Sequence, residues 1–202
     1  MPKVVDHTER QEELIAAAIR VISRKGLDQT TTREIALESG YSNGVLAHYF
    51  SDKDAILEST LRFSHRKIAA RQKVLLADLH GVEALHVLIL DNLPLDEERR
   101  VETLIEMSFW NRAATNEALS RLQSEEAGKL LGRFAVVVAE ARALGELHSP
   151  SSDAELAESL VAMIDGLSVH AVLFPTRLPA AAIEDLMTAH LRALGFRLPT
   201  PA

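Results

Sequence analysis

Apolar side chains recur along this chain at three- and four-residue intervals, and no stretch sustains the alternation of a half-buried strand. Leu14, Ala18, Val21 and Ile22 make the first stripe, with the capping-box pair Thr8 and Gln11 ahead of it and Gly26 behind it as a stop. Thr31 and Glu34 repeat the capping box for a short second helix carrying Ile35 and Ala36 and ending at Gly40. Ser42 caps a third, with Val45 and Leu46 inward. Ser51 with Asp54 opens a fourth, through Ile56, Leu57, Leu61 and Ile68 toward Leu79. Starts and stops this closely spaced define a compact helical head.

Beyond residue 80 the helices lengthen. Leu85, Leu88 and Ile89 mark one that breaks at Pro94, and Asp96 caps the next, through Val101, Leu104, Ile105 and Phe109 to about Ala114. Asn116 opens a long helix with Leu119, Leu122, Leu130, Phe134, Val137, Val138 and Leu144 on its apolar side, closing at Gly145. The clear loop is SPSSD at 149–153, where Ser152 and Glu155 cap a helix of Leu156, Leu160, Ile164 and Leu167 reaching Phe174 before Pro175. Pro179 suits the first turn of a last helix, with Ile183, Leu186 and Leu191, ended by Gly195, and the tail LPTPA is expected to fray. The prediction is an all-α chain of about nine helices: a three-helix N-terminal head followed by a C-terminal helical bundle.

Composition narrows the chemistry. With no cysteine among 202 residues, disulfides, thiol catalysis and cysteine metal sites are excluded. The start lacks an apolar h-region and no apolar run approaches ~18 residues, so neither a signal peptide nor a membrane span is expected, and a cytoplasmic location suits the chain. The net charge of −7 is uneven. Residues 1–70 hold 10 basic and 10 acidic side chains, so the whole excess of acid lies beyond them and the head is free to present a basic face to nucleic acid.

Two short helices joined at a glycine have the form of a helix-turn-helix, whose second helix enters a major groove and reads base edges with its N-terminal residues. Residues 30–53, TTTREIALESGYSNGVLAHYFSDK, fit that form. Ile35, Ala36, Val45 and Leu46 pack the pair together, leaving Tyr41, Ser42, Asn43, Gly44, Val45 and His48 near the exposed start of the third helix. Gly44, without a side chain, would let the backbone approach a duplex closely. The helix N-termini at Thr31–Thr32 and Ser51–Lys53 offer N–H groups to phosphate.

The run T-T-x-E-I-A, then SNGVLAHYF and a DK pair, resembles the TetR family of transcriptional regulators, and most of all its BetI-like branch. FWNRA at 109–113 and MIDGL at 163–167 are similar to the C-terminal pattern of that branch. The resemblance implies a DNA-binding head at 8–68 and an effector-binding and dimerisation region at 69–197. It puts Thr32, Arg33, Ser42, Asn43, Gly44, His48, Tyr49 and Lys53 where members touch DNA. Ala47 departs from the pattern, since many members carry a phosphate-gripping tyrosine there. The resemblance also implies a homodimer through the helices at 153–174 and 179–194. Both carry more apolar residues than one stripe needs, and Gly166 inside the first costs ~1 kcal/mol against alanine unless a partner helix comes close.

No catalytic or metal constellation emerges. Gly166-Leu167-Ser168-Val169-His170 begins like a nucleophile elbow but lies within a helix, and one Glu83–His86 pair falls short of a di-iron set. The expected function is therefore a non-enzymatic, ligand-responsive and sequence-specific DNA-binding regulator, a repressor released from a palindromic operator by a small molecule, without cofactor or metal. Met107, Trp110, Asn111, Phe134, Val137, Met163, Leu167 and His170 are the residues expected to line the effector pocket. Phe109 and Trp110 are adjacent, hence ~100° apart on a helix, so they do not form one aromatic cage for a quaternary ammonium. An apolar or mildly polar effector fits better than choline. The competing expectation is a helical small-molecule carrier or enzyme with a vestigial helix-turn-helix.

Overall fold

The computed structural model describes residues 7–198, and within them the chain is all helical apart from loops and one isolated bridge between Leu147 and Phe196. The described helices are α1 (His7–Lys25), α2 (Thr32–Ser39), α3 (Asn43–Tyr49), α4 (Lys53–Leu75), α5 (Gly81–Asp91), α6 (Glu97–Ala113), α7 (Glu117–Ala143), α8 (Asp153–Leu173) and α9 (Ala180–Leu194). The expected fraying after Leu198 lies outside the described residues.

Most helix starts follow the capping chemistry. Both sides of the capping box form at Thr31–Glu34 and at Ser152–Glu155. Asp96 accepts from the Arg99 amide at 2.9 Å, and Asn116 accepts from the amides of Ala118 and Leu119 at 3.0 and 3.2 Å. Helix α4 stops at Leu75, short of the Leu79 expected, and three helix starts differ from expectation. Helix α1 already includes His7, so Thr8 lies inside its first turn. Asp52, not Ser51, caps α4: its Oδ1 accepts from the Ala55 amide at 2.8 Å, while the Ser51 hydroxyl donates to its other oxygen. An ionised carboxylate is the stronger acceptor at a helix N-terminus, and it takes the site. Pro179 stands as the extended residue before α9.

The chain forms two compact units. One holds the described residues up to Lys67 together with Leu104–Ser120; the other holds Ile68–Thr103 and the described residues from Arg121 onward. The first therefore draws on chain well beyond the head expected at 8–68. Its core joins Leu14 and Ile22 of α1, Ile35 of α2, Leu46 of α3 and Ile56 of α4 with Ile105 of α6. Each such side chain, fully buried, contributes roughly 1.5–3 kcal/mol of transfer free energy.

In the second unit Leu85, Leu88 and Ile89 of α5, Phe134 and Val138 of α7, Leu160 and Ile164 of α8, and Ile183, Met187 and Leu191 of α9 share one core. Leu144 and Leu186 are exposed instead of inward. Leu144 follows the end of α7, and Ile183, Met187 and Leu191 already define the inner face of α9 at four-residue steps, which turns Leu186 aside. Helix α8 is long and apolar enough to cross a membrane by composition, yet Leu156, Leu160 and Ile164 face this core. The loop before α8 is tied by Arg142, which donates to the Asp153 carboxylate at 2.8 Å and to the carbonyls of Ser149 and Ser151. Gly195 closes α9 at φ 100°, and a Cβ there would lie 2.1 Å from the His148 carbonyl oxygen. Only glycine fits that crossing.

Candidate nucleic-acid interface

Gly40 ends α2 in the left-handed region, φ 75°, and its amide returns to the carbonyls of Ala36 and Leu37. The chain then turns at Tyr41 and re-enters a helix at once, because the Ser42 hydroxyl accepts from the Val45 amide at 3.3 Å. Leu46 and the following Phe50 are buried against Ile35 and Ala36. That packing fixes which side of α3 faces outward. Ser42, Asn43, Gly44 and His48 are exposed, and Val45 is half-buried.

Gly44 sits here without an internal reason. Its φ is not positive, and a Cβ would meet only the Ser42 hydroxyl oxygen at 3.8 Å, an ordinary contact. Gly44 thus costs helix stability and relieves no clash within its own protomer.

The two tyrosines expected in the interface are held by the protein itself. The Tyr41 hydroxyl donates to the Glu13 carboxylate at 2.5 Å, which raises its pKa, and the Arg10 guanidinium lies over its ring at 5.3 Å. Tyr49 pairs with His7 Nδ1 at 3.0 Å and meets the His48 ring edge-on at 5.5 Å. Both are half-buried.

Around α3 the polar groups divide in the same way. Thr31 spends its hydroxyl on the capping box, accepting from the Glu34 amide at 3.2 Å and donating to the Glu34 carboxylate at 2.9 Å. Lys25 binds the same carboxylate, and it, followed by Thr31, pulls the Glu34 pKa down to about 2. Arg24 and then Arg20 hold Glu38 below its ordinary value, tying α1 to α2. Thr32 is half-buried at the first position of α2, and Arg33 is exposed. At α4 the Asp52 carboxylate already occupies the helix N-terminus that was expected to receive phosphate. Lys53 remains as the basic group there, its ammonium donating to the Asp28 carbonyl at 3.3 Å.

A brace that sequence reasoning missed fixes α4 behind this surface. Arg112 of α6 grips both oxygens of Asp54, at 2.8 and 3.1 Å, and Asn116 donates to the same carboxylate at 3.1 Å. About three turns further along α4, His65 pairs with Glu106 of α6. The partners are 41–62 residues apart, and no helical period links them. The nearest signal was FWNRA, which contains Arg112 and was read only as a pattern.

The residues expected to line the effector pocket divide between the units. Met107 and Trp110 are half-buried and Asn111 exposed in the first. In the second, Phe134 and Leu167 are buried, Val137 and Met163 half-buried, and His170 is exposed with its ring edge-on to Phe174 at 5.7 Å.

Comparison with known proteins agrees along the whole chain. The family model for bacterial regulatory proteins of the tetR family matches residues 14–60, and that for the C-terminal region of BetI-type transcriptional repressors matches residues 81–195. The chain is 30% identical to the HTH-type transcriptional regulator BetI of Serratia proteamaculans, over 95% of this chain and 98% of that one. It is 29% identical to the HTH-type transcriptional regulator PksA of Bacillus subtilis, over 96% and 94%. A transcriptional regulator from Saccharomonospora viridis, solved in complex with choline, superposes with a TM-score of 0.88 at 22% identity, over 95% of this chain and all of the other.

Proposed function

Because this chain belongs to the TetR family of bacterial transcriptional regulators, we propose that it binds a palindromic operator as a homodimer and leaves it when a small molecule occupies the second unit. The observation that carries this reading is the outward face of α3, with Ser42, Asn43 and His48 exposed around a glycine that the protomer's own packing does not require. Asn43 and His48 are assigned to base edges, and Ser42 and the Gly44 backbone to close approach, with Val45 offering its apolar side to a thymine methyl. Thr32, Arg33 and Lys53 are assigned to phosphates, while Thr31, whose hydroxyl and amide are held by Glu34, fixes the start of α2, and Tyr41 and Tyr49 act chiefly by positioning α3.

Dimerisation is assigned to α8 and α9. Ala162, Gly166 and Leu173 on α8 and Leu186 on α9 are exposed, and a Cβ at 166 would meet nothing within 4 Å in its own protomer. Two heads then meet two half-sites a helical turn, or a multiple of one, apart. An effector that favours a head spacing mismatched to the operator lowers occupancy, by no more than its differential affinity for the two states. Repression, a cytoplasmic location and the absence of catalysis belong to this same reading.

The test is fluorescence anisotropy with the inverted repeat upstream of the protein's own gene, against a scrambled duplex, across a salt series. Preference for the repeat, with affinity falling log-linearly in salt, is expected. Equal affinity for both duplexes would instead favour a helical small-molecule-binding protein.

A further inference from the structure

The second unit buries polar groups that no other group among the described residues satisfies. Gln72 of α4 is 1% exposed, and neither its amide nitrogen nor its oxygen has a hydrogen-bonding partner. Ser168 of α8 is 5% exposed with an unpartnered hydroxyl. On α7 the Gln123 side-chain oxygen and Arg133 Nε are buried and unpartnered as well. Folded interiors retain few such groups, because each loses its bonds to water without replacement. All of these belong to the second unit, and their neighbours line its core: Phe134 follows Arg133, Leu167 precedes Ser168, and Leu76 stands one turn beyond Gln72.

Charge identifies what would complete the set. Gln123, Glu126, Leu130, Arg133 and Val137 follow one another at three- and four-residue steps and so share a face of α7. Glu126 is buried, but Lys129 donates to its carboxylate at 2.6 Å. Asp165, one turn before Ser168, has an interaction of its own. Among the described residues no carboxylate pairs with Arg133 and no group accepts a hydrogen bond from it. Burial, opposed by the field of Glu126, lowers the Arg133 pKa. The face is left with one half-buried positive charge whose guanidinium has no direct ion-pair or hydrogen-bond partner, Glu126 acting on it through its field alone. Nor do the aromatics of this unit surround a cation: Phe134 and Phe196 are buried in the core, and Phe174 is exposed.

We propose that the effector is an anion with an apolar body, its carboxylate bound by Arg133 and a polar substituent hydrogen-bonded by Gln72 and Ser168. This rests on the reading of the second unit as the effector-binding region. It adds a charge sign that choline does not have.

The test measures binding of octanoate, octanol, benzoate and choline to the full-length protein by thermal shift and calorimetry, with operator binding followed in parallel. Octanoate is expected to bind about tenfold or more tightly than octanol, the value of a charge-assisted contact, and choline to bind more weakly than either. Arg133→Met should reduce the octanoate-to-octanol ratio to near one, and Arg133→Lys should restore part of it. Should Arg133→Met fail to fold, the lysine variant and Ser168→Ala carry the comparison, each lowering octanoate affinity. Octanol equal to octanoate, choline tighter than octanoate, no binding of either carboxylate, or a preference that survives Arg133→Met overturns the proposal. Specific operator binding with no carboxylate preference removes the effector class and keeps the regulator. A carboxylate preference without specific DNA binding does the reverse.

Discussion

Replacing Gly44 by alanine should move stability and operator affinity in opposite directions. Gly44 is the second residue of α3, and the added methyl would meet only the Ser42 hydroxyl oxygen, at 3.8 Å. The protomer therefore tolerates it. Alanine in a helix is favoured over glycine by ~0.5–1 kcal/mol, which for a protein of this size raises Tm by about 1–4 °C. Against DNA the same methyl stands where the α3 backbone is proposed to approach the duplex. Displacing α3 enough to break one base-edge contact costs ~1–3 kcal/mol, a loss of about 5- to 150-fold in operator affinity. Differential scanning calorimetry reads the first effect, and anisotropy with operator and scrambled duplexes reads the second. Operator affinity within about twofold of the parent, in a protein that melts higher, would refute the close approach at Gly44.

Lys53→Ala should weaken operator and scrambled DNA alike and reduce the log-affinity against log-salt slope by ~1; an unchanged slope would remove the phosphate contact. Gly166→Leu should leave the melting of the protomer no lower than the parent, because a Cβ there meets nothing within 4 Å and glycine is the poorer helix former, yet overpack a partner helix by ~1–3 kcal/mol, about 5- to 150-fold in dimer dissociation. Sedimentation showing an unaltered dimer would place the interface elsewhere. Glu34, held at about 2 against an ordinary 4.5, contributes stability that is complete above pH 4.5 and is lost as pH falls toward 2. Glu34→Gln keeps an acceptor for the capping box and should flatten the dependence of Tm on pH in that interval, which melts at pH 3 and pH 6 compare.

The helix-turn-helix was legible because it is written in local chemistry. Thr31, Glu34, Gly40 and Ser42 act within four residues of themselves, and the structure uses each as the pattern predicts. Errors arose where two local acceptors competed, as when Asp52 displaced Ser51 at the start of α4. Long-range pairing was not legible either: the Tyr41 hydroxyl donates to Glu13, 28 residues earlier. Pairs such as Asp54–Arg112 leave no periodic trace, since the steps that bring them together are the turns between helices. Arg133 leaves no mark in the sequence pattern; only the structure shows its guanidinium half-buried and without a direct partner.

The brace on Asp54 bears on how such proteins exchange parts. Ile105 belongs to the core of the first unit, and Arg112 and Asn116 hold the first turn of α4, although all three lie beyond residue 100. A recombination joint after Lys67 would transplant α1 to α4 while leaving Ile105, Glu106, Arg112 and Asn116 to the recipient. The donor's Asp54 and His65 would then face another lineage's α6. Hybrids made at that joint should misfold or lose operator recognition, whereas a single crossover after Ser120 carries the head and residues 104–120 together and should preserve both.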